Sequence, residues 1–180
     1  MALDTNLFYF LNSFAGRFQF LDAFIIFIAA YLQYFVVVLA FLFLYLSDYS
    51  KRKKLRLFLM AAASVIIARL LAVEVIRFLY HSPRPFAVLE TNKLLSSGWF
   101  YSDAEWSFPS GHAAFFFALA TTIYLYNKKW GLVFFVLSAI IAISRIAAGV
   151  HYPSDILGGA AVGIIVACLI FYFLKKRGWS

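Results

Sequence analysis

The chain has 180 residues, 64% of them hydrophobic and 21% aromatic, with a formal net charge of +8 at pH 7. A soluble domain is nearer half apolar, so a mean hydropathy of +0.87 excludes an ordinary water-soluble domain and puts a single domain, residues 1–180, in a lipid bilayer. The positive charge falls in short runs between apolar stretches, which reads as solvated or anionic-lipid-facing loops and excludes a nucleic-acid-binding face; the one cysteine, Cys168, lies in an apolar stretch and excludes a disulfide framework or a thiolate metal site.

The pattern predicts an all-α, integral-membrane helical bundle of about five transmembrane helices, preceded by an interfacial helix. Over residues 2–15, apolar Leu3, Leu7, Phe8, Phe10 and Leu11 alternate with Asp4, Asn6 and Asn12, which predicts an amphipathic helix on the membrane surface. Asp4 stands where a signal peptide would be basic, so no cleaved leader is expected. Five apolar stretches follow: Leu21–Leu46, Leu57–Leu79, Ser110–Tyr126, Trp130–Val150 and Ile156–Leu174. Four of them reach the roughly 20 residues that cross a bilayer. Ser110–Tyr126 is shorter and polar at its start, as suits a helix whose outer end lines a site.

Lys51, Arg52, Lys53, Lys54 and Arg56 follow the first span, Lys128 and Lys129 the third, and Lys175, Lys176 and Arg177 the fifth. Basic loops stay in the cytoplasm. The expected topology therefore has the N-terminus outside, the C-terminus inside and the long loop 81–108, with Glu90, Lys93, Asp103 and Glu105, on the extracytoplasmic face of a bacterial plasma membrane.

That topology brings three polar clusters to the outer face: Arg77 with Arg84-Pro85; Pro109-Ser110-Gly111-His112; and Ser144-Arg145 followed by His151 and Asp155. Arginine offers a permanently charged fork that matches phosphate oxygens. Ser110 suits a helix N-cap, Gly111 lets a ligand approach the backbone, and the first-turn N–H groups form an anion site. Pro153 suits the first turn of the last span, leaving His151 just outside it and Asp155 within it. A carboxylate there can take a hydrogen bond from one imidazole nitrogen and leave the other as a nucleophile. His112 then protonates the leaving oxygen. Spacing alone does not say which histidine attacks. Singly, each residue has a bland reading: arginines snorkel, Pro-Ser-Gly is a common turn, and a lone histidine packs. Order, spacing and common sidedness argue for one phosphate site.

These clusters resemble the signature of the type 2 phosphatidate phosphatase superfamily, Lys-x6-Arg-Pro, Pro-Ser-Gly-His and Ser-Arg-x5-His-x3-Asp. The second and third parts match fully; in the first, Arg77 stands in the lysine position. The resemblance spans Arg77–Asp155 and, through the five-span layout, nearly the whole chain. It implies a helical bundle and phosphatase chemistry with no metal and no other cofactor. His151 would attack phosphorus to form a phosphohistidine, Asp155 orient that imidazole, and His112 protonate the leaving group. Arg77, Arg84, Ser110, Gly111 and Arg145 would hold the phosphoryl oxygens. Short length, a helix before five spans and an outward site look most like bacterial undecaprenyl-diphosphate phosphatases, which recycle the lipid carrier of cell-wall synthesis. Phosphatidylglycerophosphate, phosphatidate and lipid A phosphatases share the signature. The implied partner is a polyprenyl or phospholipid phosphate in the membrane, and no nucleic acid. A non-catalytic phospholipid-binding or transport protein is the rival from another class.

Further polar residues accompany the site. Glu74 and Arg77, three apart on one helix face, are expected to pair; Glu74 and His81 are candidates for tuning the site or touching substrate. Arg69 lies deeper; its candidate partners are Glu74, five residues away and not well aligned on an α-helix, or a group on another helix. Gly158, Gly159, Ala160, Ala161 and Gly163 predict close packing of the last span against the third and fourth. Trp99, Phe100, Tyr101 and Trp106 suit the interface belt or the wall of a lipid access route.

Overall fold

The computed structural model describes residues 2–95, 104 and 106–177; Trp99, Phe100, Tyr101, Asp103 and Glu105 lie outside the described residues. The elements in order are α1 (Ala2–Asn12), α2 (Gln19–Leu46), α3 (Lys51–Leu79), a single turn α4 (Pro85–Val88), α5 (Gly111–Tyr126), α6 (Lys128–Ala147) and α7 (Pro153–Lys176). Among the described residues no strand forms beyond one isolated bridge between Ser82 and Trp106. Four helices, α2, α3, α6 and α7, are long and apolar enough to cross a bilayer. As expected, α5 is shorter, at 16 residues, or about 24 Å.

The short helix is the centre of the bundle. Ala113, Ala114, Phe116, Ala118, Ala120 and Ile123 of α5 are all buried, against α3, α6 and α7. A helix apolar on every side belongs inside. The close approach of α7 depends on glycine: a Cβ at Gly159 would stand 2.3 Å from the Ser110 carbonyl oxygen, and one at Gly163 would stand 2.4 Å from that of Ala114. The small-residue stretch thus packs mainly on the third span; its contact with the fourth is slight.

The cap residues set where the helices begin. Ser50 accepts from Lys53 N at the start of α3, Ser110 from Ala113 N at α5, and Asn127 from Trp130 N at α6. The α3 helix starts six residues before the apolar run, because Ser50 caps it and Lys51–Arg56 extend it towards water. Tyr49 Oη donates to the Tyr126 carbonyl, and Tyr126 lies against Phe171 beside Lys175. The basic starts of α3 and α6 and the basic end of α7 thus share one end of the bundle. The three polar clusters occupy the other.

Two wide π turns interrupt the spans, Phe27–Tyr31 in α2 and Ile67–Ala72 in α3. Such turns shift the register of everything that follows.

Helix α1 lies at the site end and is more deeply seated than a purely surface helix. Phe8 is fully buried with Ala113, Ala142, Ile146 and Ile156, whereas Leu3, Leu7 and Phe10 are exposed. Asp4 caps α7, accepting from Ser154 N at 2.9 Å and from Ser154 Oγ at 2.6 Å. Asn12, buried, donates to the carbonyls of Asn92 (3.0 Å) and Ala147 (2.9 Å) and accepts from Asn92 N. Gly149, at φ +81°, follows α6, and the Asn92 carbonyl packs on it so closely that a Cβ would stand 2.9 Å away.

Candidate active site

The site is assembled where five pieces of chain converge on the N-terminus of α5. Two loop segments are joined by main-chain bonds: Arg84 N donates to the Ala104 carbonyl and Ser107 N to that of Ser82, both at 2.8 Å. Ser110 N donates to the Asp155 carbonyl at 2.9 Å, joining the start of α5 to the start of α7. The first-turn N–H groups of Gly111 and His112 have no intrahelical carbonyl to bond.

Around this turn stand the guanidinium groups of Arg77, Arg84 and Arg145, which are only 6%, 8% and 9% exposed. Each is anchored on a main-chain carbonyl: Arg77 Nη2 on Pro109 at 3.2 Å, Arg84 Nη1 on Val150 at 3.4 Å, and Arg145 Nη1 on Ala29 at 3.1 Å. The last of these carbonyls belongs to the π turn of α2. Buried cations at membrane depth are expensive and usually functional.

His151 and Asp155 are each 1% exposed. Nδ1 of His151 lies 3.2 Å from Oδ2 of Asp155. That carboxylate oxygen also accepts from Tyr152 N at 2.8 Å and, in a very short bond, from Ser107 Oγ. The hydroxyl of Ser107 lies 3.4 Å from His151 Nδ1 as well. The imidazole is therefore fixed through Nδ1, and Nε2 is the nitrogen left for chemistry. Burial, reinforced by the charges of Arg84, Arg145 and Arg77, holds its pKa well below 6.5, so the ring is neutral at physiological pH.

His112 is half-buried and within electrostatic reach of Arg145, His151, Arg69 and Arg84. It lines a cavity of about 270 Å³ with Arg69, Gly111, Gln33 and Tyr34. The structure thus brings together all eight residues that the sequence assigns to catalysis and phosphate binding. Among the described residues no group of three or more His, Cys, Asp or Glu side chains is arranged to hold a metal ion.

Glu74 lies beside the cradle, 3.4 Å from Arg77 and 2.5 Å from Arg69. The second contact arises because the π turn at Ile67–Ala72 brings residues five apart into register, where an ordinary α-helix would splay them. His81 is exposed, with its ring edge-on to Trp106. One of these contacts escapes the sequence reading and another is left open by it. Ser107 carries no motif, being a loop serine two residues before the Pro-Ser-Gly turn. For Arg69 the sequence leaves the partner open between Glu74 and another helix, and the π turn, which nothing in its neighbourhood signals, settles it on Glu74.

Comparison with known proteins agrees with this geometry. The profile of the PAP2 superfamily matches residues 53–179. The chain is similar to the Bacitracin transport permease protein BcrC of Bacillus licheniformis, 31% identical over 175 residues, which cover 97% of this chain and 82% of that protein. It is 30% identical over 155 residues to the Undecaprenyl-diphosphatase BcrC of Bacillus subtilis, covering 85% of this chain and 75% of the relative. Among solved structures, Aquifex aeolicus LpxE superposes with a TM-score of 0.69 at 28% identity, covering 96% of each chain. With the family profile covering α3 to α7 and all three polar clusters, the chain belongs to the PAP2 superfamily and is a membrane-embedded phosphatase.

Proposed function

We propose that this phosphatase hydrolyses undecaprenyl diphosphate to the monophosphate on the extracytoplasmic face of a bacterial plasma membrane, through a phosphohistidine intermediate and without a metal. The observation that carries the hydrolytic reading is the buried His151–Asp155 pair facing three buried arginines. The choice of lipid is supported by the relative named as an undecaprenyl-diphosphatase. Phosphatidylglycerophosphate, phosphatidate and lipid A phosphates are the alternative substrates within the same chemistry. The basic ends of α3, α6 and α7 support an outward site, since basic ends stay cytoplasmic.

In this mechanism the terminal phosphoryl group rests on the first turn of α5, its oxygens held by Arg77, Arg84, Arg145, Ser110 and the Gly111 amide. These donors are set where charge accumulates in the trigonal-bipyramidal transition state. His151 Nε2 forms the N–P bond as the P–O bond to the leaving group breaks. The electron pair goes to that oxygen, and His112 supplies a proton to it. Asp155 balances the charge that develops on the imidazole and keeps Nε2 aimed at phosphorus. Water then attacks the phosphohistidine, giving its proton to His112. The P–N bond breaks, and inorganic phosphate and neutral His151 are regenerated.

A lipid-binding or transport role, suggested by the name of the permease relative, would use the arginine cradle but has no need of a buried histidine–carboxylate pair. The test is phosphate release by purified protein from a panel of lipid phosphates in excess chelator. Hydrolysis of undecaprenyl diphosphate, inhibited by vanadate, supports the proposal. Binding without release, or release that requires added Mg²⁺, contradicts it.

A further inference from the structure

Arg69 stands outside the phosphate cradle yet lines the cavity next to it. A Cβ at Gly111 would stand 2.4 Å from its Nε and 2.8 Å from its Cζ. The Arg69 side chain therefore packs directly against the first residue of α5, and His112 is the next residue along. Nη1 donates to Glu74, but Glu74 is shared with Arg77, so one carboxylate serves two cations and the group keeps net positive charge. Its side chain is 33% exposed, in contrast to 7% for Arg77, and that exposure opens into the cavity shared with His112, Gln33 and Tyr34.

The orientation of the chemistry decides what this cavity receives. His151 attacks from within the ring of Arg77, Arg84 and Arg145, so the leaving group departs on the side of His112, its proton donor. That side is the Arg69 cavity. Below it, Val37 and Phe115 also line a second, apolar cleft of about 180 Å³ between α2 and α3, bounded by Phe41, Leu44, Phe58 and Leu119. A group leaving past His112 thus meets first a cation and then a hydrocarbon-lined cleft running along α5 towards Ile123. That sequence matches a phosphate joined to an apolar chain.

We propose that Arg69 binds the departing phosphate of a lipid diphosphate, with the lipid chain in the cleft between α2 and α3, and so makes the enzyme selective for diphosphates over monophosphates. The inference rests on the hydrolytic reading above and specifies its substrate class. With a diphosphate, the bridging P–O bond breaks and its electron pair stays on the departing monophosphate, whose added negative charge Arg69 meets. With a monophosphate the leaving group is an alcohol, which carries no phosphate to bind.

The test compares wild type, Arg69→Gln and Arg69→Lys on farnesyl diphosphate and farnesyl monophosphate in detergent micelles, reading kcat/KM for each. One charge-assisted contact predicts a loss of about 30-fold on the diphosphate for Arg69→Gln, less than about threefold on the monophosphate, and retention of most of the selectivity by Arg69→Lys. Equal losses on both substrates would overturn the proposal, because they would make Arg69 a structural partner of Glu74 that holds Arg77 in place. No loss on either would overturn it too. A wild type that cleaves only the monophosphate refutes the proposal while leaving the phosphatase chemistry standing; a wild type inert towards both refutes the hydrolytic reading itself.

Discussion

Nδ1 of His151 lies 3.2 Å from Oδ2 of Asp155, and the Tyr152 N–H holds the same carboxylate oxygen from the start of α7 at 2.8 Å. One oxygen therefore does two jobs: it closes the first turn of a transmembrane helix and fixes the tautomer of the histidine just before it. The spacing of three intervening residues follows from that geometry. A carboxylate in the first turn of a helix reaches back to the residues that precede it.

Replacement of Asp155 by asparagine is expected to keep the helix start, since the amide oxygen can still accept from Tyr152 N. It removes the charge that balances the attacked imidazole. The expected outcome is a fall in kcat of about 100-fold or more, near 2.7 kcal/mol of transition-state stabilisation, with a small change in KM. Steady-state kinetics on a soluble-chain lipid diphosphate provide the check. Ser107→Ala, which loses only one partner of the same carboxylate, is expected to fall about tenfold.

The arginine ring sets the pH response. His151 must be neutral to attack, and burial together with Arg84, Arg145 and Arg77 depresses its pKa below 6.5. The active form therefore persists as pH falls through 6.5, and the acid limb of kcat/KM lies below that value. Arg84→Gln removes one of the charges opposing protonation and is expected to move the limb upward. The fold follows the same sign: below pH 6.5 the unfolded chain takes up a proton that folded His151 refuses, so stability declines as pH drops. A pH–rate profile for both proteins decides the first point. An acid limb at or above pH 6.5 in the wild type would contradict it.

Arg77 tests the one departure from the family signature. Nη2 bonds the Pro109 carbonyl while Nη1 faces Glu74, and lysine, a single point charge, cannot keep both contacts. Arg77→Lys is expected to lose about tenfold in kcat/KM, or about 1.4 kcal/mol, and Arg77→Ala considerably more. Equal minor effects from both substitutions would make Arg77 a snorkelling residue.

The sequence alone reveals the five apolar stretches, the shared face of the three polar clusters and the pairing of His151 with Asp155. These depend on composition, on helical period and on spacings within a few residues, all local quantities. Ser107, and the choice of partner for Arg69, are illegible for physical reasons. Ser107 reaches Asp155 from a loop segment that a single bridge ties back at Ser82 and Trp106, a contact between distant parts of the chain. Arg69 meets Glu74 only because α3 widens into a π turn, which no residue type in Ile67–Ala72 announces. The depth of α1 was hidden likewise: Asn12 reads as a polar surface residue, yet it is buried by its bonds to Asn92 and Ala147.

Sidedness is open to direct chemistry. In a Cys168→Ala background, a cysteine at Glu90, on the exposed loop beside the site, is expected to react with an impermeant thiol reagent added to intact cells. A cysteine at Lys53, at the opposite end of the bundle, is expected to stay silent. The reverse pattern would put the site in the cytoplasm.

The central claim is covalent catalysis by His151. Rapid base-quench of the enzyme with a lipid diphosphate carrying ³²P in its terminal phosphoryl group is the most direct test. Base-stable, acid-labile label on the peptide containing His151, and absent from His151→Ala, is the predicted result. Undiminished turnover by His151→Ala, or label that stays on His112, would contradict it.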